Sequence, residues 1–406
     1  MRRAALAGFA AALMMWVAAQ MDIAQAQISG DTVKIGVLND MSGLYADLGG
    51  QGAVEAARMA VADFGGNING KKIEIISADH QNKPDVGGAI ARQWYDNDGV
   101  DAIADVPTSS VALAVQDVAR ERKKVFLISG AASSDLTGKA CSPTSVHWTY
   151  DTIALGNGTG GAVVKAGGDT WFFITADYAF GHALERDTTA VVEANGGKVL
   201  GSVKVPLNTA DFSSYLLQAQ ASKAKIIGLA NAGGDTINSI KQAAEFGIVE
   251  GGQKLAGLLV FVSDVHSLGL KTAQGLQLTE SFYWDLNDQT REWSKKFFDK
   301  MKKQPTMVQA GVYEATLNYL NAIKASNSTD GPAVVKKLKE TPINSFMTKN
   351  GHIQEDGSLI RDMYLFEVKK PNESKAEWDL YKLISTIPGE QAFKRPKGNE
   401  CPAVKS

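Results

Sequence analysis

Runs of hydrophobic residues alternate with segments whose apolar positions recur at helical spacing, and this alternation occurs twice along the chain. Short β-branched runs bounded by polar turns indicate buried strands, and apolar residues at every third or fourth position indicate amphipathic helices. The first set predicts strands at 32–38, 71–79, 101–106 and 124–129 and helices at 52–64, 85–98 and 110–122. This order is typical of a parallel sheet with helices on both faces.

The second set repeats the order. It predicts strands at 170–175, 198–205, 224–230, 255–262 and 276–284 and helices at 178–195, 211–222 and 234–247. The remaining chain predicts helices at 288–301, 308–325 and 332–339, followed by a hairpin of strands 363–370 and 378–386. The fold class is therefore α/β, with two doubly wound parallel-sheet lobes.

The two sets are not separated by a low-complexity linker, so we expect several short crossovers between the lobes. Candidate crossovers lie at 148–152, 283–287 and 357–362. The predicted division is a first lobe of residues 27–150 with 285–360, a second lobe of 151–284 with 361–390, and a tail, 391–406, that returns to the first lobe. Such a layout leaves a cleft where the carboxyl ends of strands from both sheets meet.

The first 26 residues have the pattern of a secretory signal peptide. Arg2 and Arg3 precede an apolar run from Ala4 to Ala19, which is shorter than the roughly 20 residues that span a bilayer. A small-residue cleavage site, Ala24–Ala26, follows, with no cysteine after it to carry a lipid. We therefore expect the mature chain to begin near Gln27 and to reside outside the cytoplasm.

Composition and motifs argue against several functional classes. The chain is 44% hydrophobic with a formal net charge of −2, and both signs are scattered, so neither nucleic acid nor an anionic membrane is an expected partner. Dinucleotide-binding, P-loop and G-x-S-x-G motifs are missing, and no histidine pair has metal-ligand spacing. No cofactor, metal or catalysis is expected. A secreted hydrolase assembled only by folding stays as an alternative.

Two segments of the first set place polar residues just after strand ends, where parallel sheets bind ligands. Tyr45 follows the first strand, and we interpret it as a ligand contact; an ordinary turn is the alternative. Ser109 and Ser110 open the helix at 110–122, where free N–H groups and the positive end of the helix dipole suit a carboxylate. The alternative there is a plain helix N-cap.

Three segments resemble the periplasmic solute-binding proteins of the leucine/isoleucine/valine type, which feed ABC importers. They are VKIGVLNDMSGLYADLGGQGAVEAARMAVADF, DVPTSSVALAVQDVARERKKVFLISGAAS and ADYAFGHALERDTTAVVEANGGKVLG, and they fall in that family's order and spacing. The resemblance implies a type I bilobal fold on a three-strand hinge, a solute trapped when the lobes close, and no catalysis.

The resemblance also implies site residues in the first lobe. It places a carboxylate-binding serine at Ser109, and it places a backbone carbonyl and a threonine hydroxyl that hold an amino group at residues 131–133. This chain has Ala131, then Ala132 at the position of the threonine, with Ser133 offset by one, which leaves the amino-group contact open.

In the second lobe, Tyr178 and Phe180 match an aromatic–glycine segment that lies over the ligand; helix-start packing is the alternative. Asn231 follows another strand end. Asp264 matches the position of an ammonium-binding glutamate, with an N-cap before HSLGL as the alternative. Trp284 either stacks on the solute or packs the hinge.

These features predict the periplasmic component of an ABC importer, which captures a small carboxylate-bearing solute, docks on an inner-membrane permease and acts as a monomer. The alternative is a solute sensor that docks on a membrane receptor. Asp264 favours an amino acid as the solute. Ala132 and the many aromatic residues near the cleft favour an aromatic or bulky carboxylic acid.

The two cysteines of the chain, Cys141 and Cys401, are predicted to form a disulfide. An even cysteine count in an oxidising compartment favours pairing. Two buried free thiols are the alternative. The polar tail around Cys401 has too little apolar content to dock by burial alone, and a covalent link would hold it.

Overall fold

The computed structural model describes residue 28, residues 30–396 and residues 400–404. The predicted signal sequence lies outside the described residues. In the described part of the chain, no helix is both long enough and apolar enough to cross a membrane.

The first part of the chain forms a six-stranded sheet. Its strands are β1 (Thr32–Asn39), β2 (Asn67–Ile68), β3 (Lys71–Asp79), β4 (Ala102–Asp105), β5 (Val125–Ile128) and β6 (Ser145–His147). Their order is β2-β3-β1-β4-β5-β6, and all neighbours are parallel except the short β2 against β3. This sheet and the helices packed on it are the first lobe.

The second lobe has a four-stranded parallel sheet in the order β10-β9-β7-β8 and an antiparallel sheet in the order β11-β14-β15. A separate antiparallel pair, β12 with β13, packs against the core of the first lobe. The strands are β7 (Thr170–Ala176), β8 (Lys198–Val205), β9 (Ile226–Ala230), β10 (Lys254–Gly257), β11 (Gln277–Glu280), β12 (His352–Ile353), β13 (Leu359–Ile360), β14 (Met363–Val368) and β15 (Tyr381–Ile387).

Helices cover both main sheets, as the alternating pattern predicts. They are α1 (Gly50–Phe64), α2 (Pro84–Asp96), α3 (Ser109–Glu121), α4 (Thr152–Leu155), α5 (Gly161–Lys165), α6 (Ala179–Ala194), α7 (Ser213–Ala221), α8 (Gly234–Glu245), α9 (Val262–Leu268), α10 (Leu270–Ala273), α11 (Asp288–Met301), α12 (Met307–Ser326), α13 (Gly331–Lys339) and α14 (Gly389–Ala392). Ser134–Leu136 forms a 3₁₀ turn and Gly156–Gly160 a π turn.

The chain passes between the lobes more than once. After β11 it returns to the first lobe, where α12 packs on α1 and on β4 and β5. It then goes back to β14 and β15 in the second lobe. With the passage after β6, this gives the three connections that the resemblance implies. The residue bounds of the lobes stay a prediction.

The structure corrects two predicted elements. The strand at 255–262 ends at Gly257, and Val262 begins α9 instead; the strand at 276–284 is shorter, ending at Glu280. Periodicity alone does not separate a buried strand from other buried apolar segments. A glycine-rich stretch from 152 to 165 forms two short helices and the π turn between them, and the sequence pattern does not predict these elements. Gly158 serves packing there, because a Cβ atom on it would lie 2.3 Å from Oγ1 of Thr279.

Candidate functional site

A cavity of about 10 Å³ lies between the lobes, with room for about one water molecule. Its walls come from the segments that follow β1, β4, β5, β6, β7, β9 and β10. This is the sheet edge at which open α/β folds bind ligands. The lining residues are Tyr45, Leu48, Pro107, Gly130, Ala132, Tyr150, Tyr178, Phe180, Ala232, Leu259 and Phe261.

The lining is apolar and aromatic, and its side-chain polar groups are phenol hydroxyls. Of the residues that the structure describes, no Asp, Glu, Lys or Arg lines this cavity. The Tyr150 hydroxyl donates to the Gly130 carbonyl at 2.7 Å, and its ring meets the Phe261 ring edge-on with centroids 6.4 Å apart. Tyr150 therefore links the first-lobe wall to the second-lobe wall.

Tyr45 lies in the cavity wall, as its position after β1 predicts. Its hydroxyl and that of Tyr178 are 2.5 Å apart, so the two residues join the lobes directly across the cleft. Burial, with the nearby Tyr178, raises the pKa of Tyr45 well above its usual value, and burial also raises the pKa of Tyr178. Both phenols are therefore neutral at physiological pH.

Ser109 is the first residue of α3 and is fully buried. Its Oγ accepts a hydrogen bond from the Ser133 backbone N–H at 3.1 Å, so the side chain ties the helix start to the loop after β5. Ser110 is half-buried. Neither serine is among the cavity-lining residues, whereas Pro107, two residues earlier, is.

In the loop after β5, only Ala132 of the three predicted residues lines the cavity. The Ala131 carbonyl lies 2.7 Å from Nε2 of the buried His147. The Ala132 carbonyl accepts from the Thr152 N–H at 2.8 Å, and Ser133 Oγ accepts from the Asp135 N–H at 3.4 Å. The carbonyls and the hydroxyl of this loop thus have partners within the protein.

In the second lobe, Phe180 lines the cavity and Asn231 does not. The Asn231 amide oxygen accepts from Oγ1 of Thr236 at 2.7 Å, and its nitrogen donates to Oγ of Ser239 at 3.3 Å. Asn231 therefore stabilises the start of α8, and the next residue, Ala232, contributes to the wall.

Asp264 is buried in the first turn of α9. Its carboxylate accepts from the Phe261 N–H at 3.0 Å, so Asp264 takes part in capping from the third helical position, whereas Phe261, and not Asp264 as the alternative has it, is the N-cap residue. Burial raises the pKa of Asp264 to about 7, and the Phe261 hydrogen bond opposes this rise only in part. The Phe261 ring, rather than the carboxylate, forms the cavity wall.

Trp284 lies on the hinge side of the second lobe. Its indole N–H donates to the Trp378 carbonyl at 2.9 Å, and the neighbouring Tyr283 hydroxyl donates to the same carbonyl at 3.0 Å. The structure thus places Trp284 in hinge packing and outside the cavity lining.

Several residues that line the cavity are not among the site residues predicted from the sequence. They are Leu48, Pro107, Gly130, Ala232, Leu259 and Phe261. Pro107, Gly130 and Ala232 each lie two residues after a strand end, so the same topological signal was available for them. Leu259 and Phe261 fall in the run that the sequence predicts as a strand.

The profile of the periplasmic binding protein family matches residues 32–375, which is most of the chain. The chain belongs to the periplasmic binding protein family. Its members are substrate-binding transport proteins, which points away from an enzyme, and the family description places the protein in the periplasm.

Solved structures resemble this periplasmic binding protein over nearly its whole length. A periplasmic binding protein from Burkholderia mallei is 56% identical, with a TM-score of 0.91, and the match covers 93% of this chain and 100% of that one. A branched chain amino acid ABC transporter periplasmic ligand-binding protein from Burkholderia xenovorans is 41% identical, with a TM-score of 0.81 and coverages of 91% and 99%.

A third structure shares the fold. It is the solute binding protein of an ABC transporter from Rhodopseudomonas palustris, in complex with 3,4-dihydroxybenzoic acid. It is 23% identical, with a TM-score of 0.80, and the match covers 89% of this chain and 98% of that one.

The buried Asp264 makes the stability of this periplasmic binding protein depend on pH. The folded state keeps the Asp264 proton up to about pH 7, whereas an unfolded chain loses it near pH 4. The folded state therefore binds more protons in this window, and the free energy of unfolding falls as the pH rises through it. Asp264→Asn removes this contribution and should flatten the fall by up to about 1.4 kcal/mol per pH unit.

Urea unfolding at half-unit steps between pH 4 and pH 8 checks this expectation. Asp211→Asn is the control. Hydrogen bonds from Ser213 lower the pKa of this exposed carboxyl, so replacing Asp211 should not flatten the fall of the free energy of unfolding with pH. An Asp264→Asn curve parallel to that of the wild type would contradict the prediction.

Proposed function

We propose that this protein is the substrate-binding component of an ABC importer and that its solute is an aromatic or similarly bulky carboxylic acid. The observation that carries the proposal is the neutral, aromatic lining of the interlobe cavity. An α-ammonium group buried there would need a carboxylate or several acceptors. The carboxylate of Asp264 accepts a hydrogen bond from its own helix turn instead.

The start of α3 is the proposed site for the solute carboxylate. Pro107 lines the cavity immediately before this helix, and the N-cap Thr108 makes no side-chain cap. The first-turn N–H groups of a helix lack intrahelical partners, and the helix dipole favours negative charge at this end. Ser109 then holds the loop that carries Ala132 against this site.

The aromatic side chains are the proposed contacts for the solute ring. Binding pockets for such molecules measure hundreds of Å³, so the lobes must separate to admit a solute between Tyr45 and Tyr178. We infer that hinge opening breaks their hydroxyl contact and that closure replaces it with contacts to the solute. The protein from Rhodopseudomonas palustris shows that this fold accommodates a hydroxylated benzoic acid.

A branched-chain amino acid is the second candidate. The 41% identical relative from Burkholderia xenovorans is described as a branched chain amino acid binding protein, and Asp264 matches the position of an ammonium-binding residue. The α-ammonium is the charged group that separates the two candidates, because only the amino acid carries it.

Calorimetry with a matched ligand pair tests the proposal. 3-Phenylpropanoate and L-phenylalanine share a ring and a carboxylate and differ in the ammonium; benzoate and L-leucine extend the comparison. We expect the acids without ammonium to bind at least about tenfold more tightly, a difference of about 1.4 kcal/mol. Tighter binding of either amino acid would favour the second candidate, and binding of none would refute both.

Two variants sharpen the result. Ser109→Ala should weaken binding of the acid by about 1 to 3 kcal/mol, because it removes a hydroxyl that organises the carboxylate site. Asp264→Asn should leave that affinity unchanged within about twofold if the solute carries no ammonium, whereas an amino-acid ligand would lose its charged partner.

A further inference from the structure

A third loop, after β3, reaches towards the cleft without lining the cavity. Its residues Gln81 and Asn82 both adopt left-handed backbone conformations, with φ of 53° and 57°. Asparagine tolerates this region better than most residues, because its short side chain bonds locally. The conformation turns the Asn82 amide towards the two neighbouring loops of the first lobe.

The Asn82 side chain bonds to both of those loops. Its Nδ2 donates to Oδ2 of Asp40, after β1, at 2.7 Å. Its Oδ1 accepts a short hydrogen bond from Oγ1 of Thr108, after β4. One amide, used as donor and as acceptor, therefore links the loops after β1 and β4 through the loop after β3.

Asp40 sets the shape of the loop that carries Tyr45. Its buried carboxylate accepts from the Gly43 N–H at 2.7 Å and from the Tyr45 N–H at 2.8 Å. A Cβ atom on Gly43 would lie 2.8 Å from this carboxylate, so a larger residue there would push the carboxylate out of its place. The orientation of Asp40 thus fixes the backbone of Tyr45, whose hydroxyl reaches Tyr178 across the cleft.

Thr108 connects Asn82 to the proposed carboxylate site. It is the N-cap residue of α3, but its hydroxyl donates to Asn82 and does not cap the helix. Ser109 follows directly and holds Ser133. A continuous path of hydrogen bonds therefore runs from Tyr45 through Asp40 and Asn82 to the start of α3.

We infer that Asn82 is a positioning residue, which holds the ring-contacting Tyr45 and the carboxylate-binding start of α3 in one fixed arrangement. The inference rests on the proposed function in one respect, the identity of the ligand. The hydrogen bonds are observed in the structure whatever the ligand is. Loss of the amide should loosen both loops together, because each loses the same partner.

Hydrogen exchange and calorimetry on Asn82→Gly test the inference in the full-length mature protein. Glycine keeps the left-handed backbone and removes only the amide. We expect faster exchange in residues 40–46 and 107–110 together. We also expect about tenfold weaker binding of 3-phenylpropanoate, which is the scale of losing one net hydrogen bond. Gln81→Gly, at the adjacent left-handed position, is the matched control and should leave both measurements unchanged.

Asn82→Asp adds a readout that a merely structural role would not produce. The new carboxyl keeps the acceptor for Thr108 and faces the Asp40 carboxylate, and like charges favour protonation of one of the pair. Affinity relative to the wild type should therefore be lowest at pH 8 and recover towards pH 5. The other titratable groups here are Asp79 and His80, and burial lowers the pKa of His80 to about 4, so it stays neutral in this range.

The outcomes separate this inference from the proposed function. Unchanged exchange in both loops of Asn82→Gly, or a pH-independent defect in Asn82→Asp, would overturn the positioning role. If the wild type binds none of the acids, the proposed function fails, and the exchange measurement on Asn82→Gly still decides the role of Asn82.

Discussion

Replacing Cys141 and Cys401 by alanine is expected to lower the free energy of unfolding by about 2 to 5 kcal/mol. The structure confirms the predicted disulfide between them, with Cα atoms 5.6 Å apart and a sequence separation of 260 residues. A link across so long a loop removes many conformations from the unfolded chain, and the folded state gains stability by comparison.

Urea unfolding of the double variant measures the effect, and a reducing agent provides the control. Reduced wild type should unfold at the same urea concentration as the double variant, and the double variant should not respond to the reductant. Equal midpoints for the oxidised wild type and the double variant would show that the disulfide contributes nothing.

The disulfide also adds a further link between the lobes. Its second cysteine, Cys401, lies in the tail beyond residue 375, where the family match ends. Asn157, next to α4, donates to the Ala392 carbonyl at 2.8 Å. Three residues later, Arg395 donates to Asp356 at 3.1 Å and to Ser358 at 3.0 Å, beside β13. The tail is thus held by hydrogen bonds along its course and by the disulfide at its end, as its polar composition requires.

The sequence predicts most of the fold because strong local signals coincide with tertiary burial. The first four predicted strands and the hairpin at 363–386 all occur, because β-branched and aromatic runs bounded by turn residues favour strands in parallel and antiparallel sheets alike. The glycine-rich stretch 156–160 is different. Its π turn packs closely against Thr279 and Thr188. Because these partners are distant in sequence, the local pattern of hydrophobic residues does not indicate the turn.

The site could be predicted to the level of loops but not of side-chain roles. Tyr45, Ala132, Tyr178 and Phe180 lie in the cavity wall, because topology alone brings strand ends to one edge. Asn231 instead bonds within the turn that follows its strand. Whether a polar side chain faces a cleft or its own helix depends on the partners it finds after folding. Solute contact by each of these residues stays a prediction.

The largest loss of stability from a single substitution is expected at Arg361. With its ion-pair partner Glu314, this residue contacts all three hinge connections. Its side chain and that of Glu314 are fully buried, 3.2 Å apart. The Trp148 indole, in the first connection, donates to Glu314 at 2.8 Å. Arg361, in the third connection, donates to the carbonyl of Ser281, in the second, at 3.2 Å. The ion pair and its hydrogen bonds therefore contact all three connecting segments.

Arg361→Met should lower the free energy of unfolding by about 3 to 5 kcal/mol, because it leaves the buried charge of Glu314 without a counter-ion. Arg58→Met is the matched control: this arginine is 55% exposed and 4.0 Å from Glu55, and the loss there should be below about 1 kcal/mol.

A double-mutant cycle with Glu314→Gln separates charge from packing. If the uncompensated carboxylate is the cause, the double variant is less destabilised than the sum of the two single variants, since neither partner then leaves a charge behind. Urea unfolding of all four proteins gives the coupling energy. Strict additivity would mean that Arg361 acts through its hydrogen bonds to the Ser281 and Met347 carbonyls, and the ion pair would then not be what holds the hinge segments together.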